Sequence, residues 1–169
     1  TFYDTTTFEE VFPWHHASGD FVVRRTDGQV DVRLITVRQY AARPVFDEPT
    51  AQDRVLALLL FFANLSIRMR LDRLDGVGDV VWADKQCVRA TAQGFFDAMA
   101  DKVTTGHCDP ELFEAFRNIL QSLPLYELAG LFHAVLESYD EEAPDTPVAK
   151  GNLVDHIFQV YRSVQELGG

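Results

Sequence analysis

Thr50-Ala51-Gln52-Asp53-Arg54, followed by Val55-Leu56-Ala57-Leu58-Leu59-Leu60-Phe61-Phe62, is the stretch from which the fold is read. Thr50 is a residue whose hydroxyl accepts the first unpaired helical N–H groups, and Asp53 stands three places on, as a capping box requires. The apolar run then leaves a helix no polar face, so it is buried on most sides. A helix of that kind needs other helices around it. The pattern predicts a helix over about 50–74, with Asn64, Arg68, Arg70 and Arg73 in its second half and Asp75-Gly76-Val77-Gly78 as its stop.

C-terminal to it, Val80-Val81-Trp82 reads as a short apolar link, and Asp84 caps a helix over about 85–103 with Val88, Ala92, Phe95, Phe96 and Met99 inward. Asp109-Pro110-Glu111 starts the next, over 110–122, because a cap followed by proline and an acid suits the positive end of a helix. Pro124 precedes a helix over about 125–139, and a last one covers about 148–167. The acidic, proline-bearing loop 140–147 between them is the segment expected to be most mobile. Short loops favour antiparallel neighbours in a bundle.

N-terminal to the long helix, residues 21–26 and 29–38 are rich in Val, Ile and Arg around Asp27-Gly28. That dipeptide is the two-residue hairpin turn, since both positions take positive φ. The implied register sets Arg24 against Asp31 and Val23 against Val32, with Phe21, Val23, Val30, Val32 and Leu34 on one face. A lone hairpin is marginal in water, so this face should lie on helices or on further strands. The first twenty residues read as an arm pinned by aromatics, with one helical turn over 7–11. The expected fold is therefore a single mainly α domain (α+β at its N-terminus): arm and hairpin over 1–49, then a five-helix bundle over 50–169.

The 169 residues are 47% apolar and 12% aromatic and carry a net charge of −11. That balance disfavours nucleic acid and anionic lipid as partners. Residues 1–89 hold 11 basic and 13 acidic side chains, whereas residues 90–169 hold 4 and 13, so the acidity lies in the second half. Cys87 and Cys108 form no disulfide framework or zinc spacing. The longest apolar run is too short for a membrane span, and no basic-then-apolar leader opens the chain. A cytoplasmic location is expected, with Thr1 following a removed initiator Met.

Chemistry-bearing residues are sparse. Gly76-Val77-Gly78 lacks the third glycine and the Gly-Lys of a phosphate loop. No Glu-x-x-His occurs, so a bundle dimetal site is not expected, nor is any other metal or cofactor. Cys108 beside His107 precedes a helix start, yet neighbouring loop residues rarely hold base-to-thiol geometry, and no catalytic residue is assigned. Asn64 and Arg68 share a helix face, and an inward Arg68 requires Asp72, Asp75, Asp79 or an anionic ligand as partner. A pocket between hairpin and long helix would be lined by Asn64, Arg68, Arg33, Trp14 and His16. The first functional expectation is a non-catalytic accessory domain that binds a protein partner or itself. The second is a protein or enzyme holding a small anionic ligand in that pocket. A third is an acidic inhibitor of a basic or nucleic-acid-binding partner.

Overall fold

The structure is a computed structural model that describes residues 2–11, 21–35, 39–43 and 46–167. The elements run β1 (Glu9–Val11), β2 (Phe21–Thr26), β3 (Gln29–Leu34), β4 (Tyr40–Ala42), α1 (Ala51–Arg68), β5 (Leu71–Arg73), β6 (Val80–Trp82), α2 (Gln86–Thr104), α3 (Pro110–Ser122), α4 (Leu125–Glu137) and α5 (Thr146–Leu167). Five helices with strands at the N-terminus match the expected class.

Helix α1 is the centre. Thr50 accepts from the Asp53 N–H at 3.2 Å while the Asp53 carboxylate accepts from the Thr50 N–H at 2.9 Å, so the capping box is closed. Of the run Val55–Phe62, only Leu56 is exposed and Leu60 half-buried, and both openings matter for what lies outside. Phe62 meets the rings of Phe95 (5.0 Å), Phe116 (6.1 Å) and Phe96 (6.4 Å), which ties α1 to α2 and α3. Leu128, Phe132 and Val135 of α4 and Leu153, Ile157 and Val160 of α5 complete the core. Tight aromatic packing of this kind contributes beyond its buried area.

Helix α1 stops at Arg68, six residues before the predicted end, and Leu71–Arg73 pairs antiparallel with Val80–Trp82. The predicted link and helix tail are thus a second small hairpin. Arg70 explains the break. Its guanidinium donates to the Ala83 carbonyl at 2.9 and 2.7 Å, and its own carbonyl accepts the Ala83 N–H at 2.7 Å. Reaching Ala83 from both sides turns the backbone out of the helix. Asp75, not a glycine, takes the left-handed conformation in the loop (φ 51°).

Gly78 has a different reason to be glycine. A Cβ there would stand 2.7 Å from the Leu74 carbonyl oxygen, the atom that accepts its own N–H. Gly78→Ala is expected to push that carbonyl away and to cost about 1–3 kcal/mol. Urea unfolding checks this, and an unchanged midpoint would contradict the tight loop.

The N-terminal hairpin has the predicted register throughout, from Thr26↔Gln29 to Phe21↔Leu34, and φ is 50° at Asp27 and 81° at Gly28. Its surroundings differ from expectation. Val23, Val30 and Val32 are 55%, 59% and 54% exposed, and among the described residues no third strand joins β2 and β3. The strand pair that meets the helices is β1–β4 instead. Residues 7–11, expected as a helical turn, hold strand β1, paired Glu9↔Ala42 through Val11↔Tyr40. The Asp4 carboxylate accepts the N–H groups of Thr6 (2.7 Å) and Thr7 (2.9 Å), and this turn feeds β1 rather than a helix. Loop 140–147 is anchored at its end: Asp145 and Thr146 are buried, and Thr146 donates to the Asp140 carbonyl at 2.6 Å.

Candidate functional site

Where β1 and β4 lean on α1 and α4, a cleft of about 320 Å³ opens. Glu10 comes from β1, Arg43 follows β4, Leu60, Phe61 and Asn64 form one stripe of α1, and Ala134, Val135 and Ser138 close the far wall. Leu60 is the apolar position the core leaves half open, and here it becomes cleft wall.

Glu10 is the unusual member. It is only 5% exposed. Burial pushes its carboxyl up to about 7 even though the fields of Arg43 and Arg68 oppose the shift. Asn64 is oriented from behind: its carbonyl oxygen accepts from the Tyr139 hydroxyl at 2.8 Å. The Ser138 hydroxyl donates to the Val135 carbonyl at 2.7 Å, which leaves its oxygen as an acceptor.

Arg68 lies one turn beyond Asn64 but does not line the cleft. Its guanidinium is 3.8 Å from the centre of the Tyr139 ring and is paired with Asp145. The partner is therefore none of Asp72, Asp75 or Asp79, and the charge is met within the protein. Arg33 sits on the exposed hairpin 3.2 Å from Asp31, away from this cleft. Trp14 and His16 lie outside the described residues. This cleft is bounded by β1, β4, α1 and α4, and of the expected residues that the structure describes it is lined by Asn64 and not by Arg33 or Arg68. Glu10, Arg43 and Ser138 were not anticipated. The only signal was Phe8 and Glu10 pointing inward two residues apart, too short an alternation to distinguish from one helical turn.

A second polar group lies in the core. His156 is fully buried, with the rings of Trp82 (5.5 Å) and Phe132 (5.4 Å) edge-on to it, and its Nε2 is 3.1 Å from the Ser66 hydroxyl. That hydroxyl spends its proton on the Ala63 carbonyl at 2.9 Å. It can only accept from His156, so Nε2 carries the imidazole proton and Nδ1 is a bare, unpartnered acceptor. Burial, reinforced by Arg70, pulls this imidazole down to about 3. Serine and histidine here make no nucleophile: the base is turned away from its role and solvent does not reach it. Cys108 is also buried, which pushes its thiol up, against the activation a reactive cysteine needs. His107 and His133 are exposed and on different elements.

Among the described residues no three His, Cys, Asp or Glu side chains converge as metal ligands would, and no single helix is long and apolar enough to cross a membrane. No protein-family model, curated protein or solved structure matches this chain.

Proposed function

We propose that this chain is a non-catalytic protein-interaction domain whose β2–β3 hairpin seats in the groove between α4 and α5 of a second copy. The observation that carries the reading is the hairpin's apolar stripe, with Val23, Val30 and Val32 all more than half exposed. A two-stranded ribbon gains its stability from what covers it. The occupant is argued from charge. Arg25, which faces Val30 on the stripe's own side of the hairpin, is exposed, and the second half of the chain carries most of the net negative charge. The groove offers Leu136, Leu153 and Val154 as floor, with His133, Glu137 and the Glu141–Lys150 ion pair at its edge. Val154 is 65% exposed and Phe158, one turn on, 50%. Valines beside Arg25 meet apolar residues beside Glu137, and reciprocal seating of two hairpins closes a two-fold dimer.

Sedimentation velocity across a concentration series tests this. The wild type is expected to dimerise, more weakly as salt rises. Val32→Glu on the hairpin and Val154→Glu in the groove are each expected to weaken the dimer by about tenfold or more, the equivalent of 1.4 kcal/mol. Both positions are exposed, so the monomers stay folded. A wild type that is monomeric throughout, or a dimer insensitive to Val154→Glu, overturns the reading.

A further inference from the structure

We propose that Asp27 is a self-modification site, at which the Gly28 amide nitrogen closes on the Asp27 carboxyl carbon and water reopens the ring to isoaspartate. The chain holds two Asp-Gly pairs, Asp27-Gly28 and Asp75-Gly76, and no Asn-Gly. Glycine is the neighbour that permits this closure, because no side chain shields its nitrogen. Sequence makes the two pairs equal, and the fold separates them.

Both aspartates stand in the left-handed region, at φ 50° and 51°, so the difference lies in what surrounds them. Asp27 and Gly28 are exposed at the tip of β2–β3, and strand pairing ends at Thr26↔Gln29, outside the turn. A Cβ on Gly28 would meet nothing within 4 Å, so a five-membered ring has room there. To close that ring, the backbone at Asp27 must rotate out of the turn. Among the described residues no third strand joins the ribbon, and only Phe21, Asp31 and Leu34 of its strands are half-buried. Opening its tip breaks few bonds and uncovers little apolar surface. Asp75 is held. The N–H groups of Val77 (3.2 Å) and Gly78 (2.7 Å) both donate to the Leu74 carbonyl, and the Leu74 N–H donates to the Asp79 carbonyl at 3.1 Å. Rotation at Asp75 breaks that closure.

The chemistry needs only water. A bond forms from the Gly28 nitrogen to Asp27 Cγ, and the carboxyl OH leaves with the nitrogen's hydrogen as water, giving a succinimide. A second water adds to one ring carbonyl and breaks its bond to the nitrogen. Breaking at Cγ restores aspartate. Breaking at the backbone carbon leaves the chain running through Cβ and Cγ, with the former backbone carbonyl as a free carboxylate. No atom is gained or lost and nothing is oxidised. The turn then contains one more backbone atom, and the two-residue connection that sets Arg24 against Asp31 and Val23 against Val32 is lost. Modification is therefore an off-switch for the hairpin. Where the hairpin docks as proposed above, an aged chain no longer dimerises; that consequence rests on the dimer, whereas the modification does not.

The test ages the whole chain at body temperature in mildly acidic buffer, folded and in concentrated urea, alongside Asp27→Gly and Asp27→Asn. Isoaspartate leaves the mass unchanged, so it is read by electron-transfer fragmentation and by a protease that cuts before aspartate but not before isoaspartate. In the folded chain residue 27 is expected to convert at least about tenfold faster than residue 75, the equivalent of an opening cost lower by about 1.4 kcal/mol. In urea the two rates are expected to converge, because the loop that holds Asp75 is gone. Asp27→Gly keeps the turn, since Gly-Gly also takes positive φ at both positions. It is expected to retain the cross-strand NMR contacts of the hairpin through the same ageing, while the wild type loses them. Asp27→Asn is expected to form the same ring by expelling ammonia, seen as a gain in mass. A rate ratio equal in folded chain and urea overturns the proposal, as does faster conversion at residue 75 in the folded chain. So does a residue 27 that is still wholly aspartate when Asp27→Asn has deamidated. Isomerisation in a chain that is monomeric from the start upholds the proposal and overturns only the dimer.

Discussion

Asp145→Ala is expected to lose about 3–5 kcal/mol of stability, a large share of the 5–15 kcal/mol that holds a typical domain together. The Asp145 side chain is 4% exposed and that of Arg68 15%, so removing the carboxylate strands a guanidinium that water scarcely reaches. The Tyr139 ring under Arg68 offers partial compensation, worth about 2 kcal/mol when desolvated. The loss is therefore that of an unpaired charge, not of the pair's own attraction. A double variant separates the two. Arg68→Met with Asp145→Leu removes both charges and keeps the volume, and it is expected to recover most of the stability, because a buried pair is often no better than an apolar one. Denaturant unfolding of wild type, Asp145→Ala and the double variant decides it. A single variant within about 1 kcal/mol of wild type would mean that solvent reaches Arg68.

The second large effect is on pH. His156 is held at about 3, below its ordinary 6.5, so only the unfolded chain takes up a proton between those values. Stability from this group is present above 6.5 and is lost as pH falls towards 3, at about 1.4 kcal/mol per unit. Glu10 has the opposite sign. It is raised from 4.5 to about 7, so the folded chain keeps a proton the unfolded chain releases. Its stability is present below 4.5 and is lost as pH rises towards 7. The slopes oppose one another between 4.5 and 6.5, and these two groups together give a plateau there with a steep fall below it. Glu10→Gln is expected to turn the plateau into a rise up to 6.5. His156→Phe is expected to abolish the acid-side fall with little cost near neutrality. It removes the orphan Nδ1 acceptor while Ser66 keeps its bond to Ala63. An acid limb unchanged by His156→Phe would move the cause to other groups.

Local chemistry was legible and long-range pairing was not. Asp27-Gly28, Asp109-Pro110 and Thr50-Ala51-Gln52-Asp53 act within three or four residues, and the turn, the α3 start and the α1 cap follow from them. The end of α1 was misread because Arg70 looks like one more polar residue on a helix surface, and only the distant Ala83 and Gln159 make it interior. The same holds for Arg68. Its candidates nearby in sequence were Asp72, Asp75 and Asp79, but the chain supplies Asp145, 77 residues away, from a loop whose composition suggested mobility. In the cleft, Asn64 was visible because it interrupts an apolar helix. Glu10 was not, because three residues of strand are too few to declare a period. The hairpin's register could be derived from its own residues, but nothing in them states what lies behind it.

The central place of α1 also governs how the chain is made. Most of its apolar surface is covered by α2 to α5, all encoded after it. At typical rates of synthesis, Val55–Phe62 leaves the ribosome on the order of ten seconds before α5 is complete. For that interval the nascent chain carries a helix-length hydrophobic segment without its natural cover. A chaperone that grips extended apolar peptide has its first and strongest purchase there, and production in cells short of such holdases is expected to fail by aggregation through this segment.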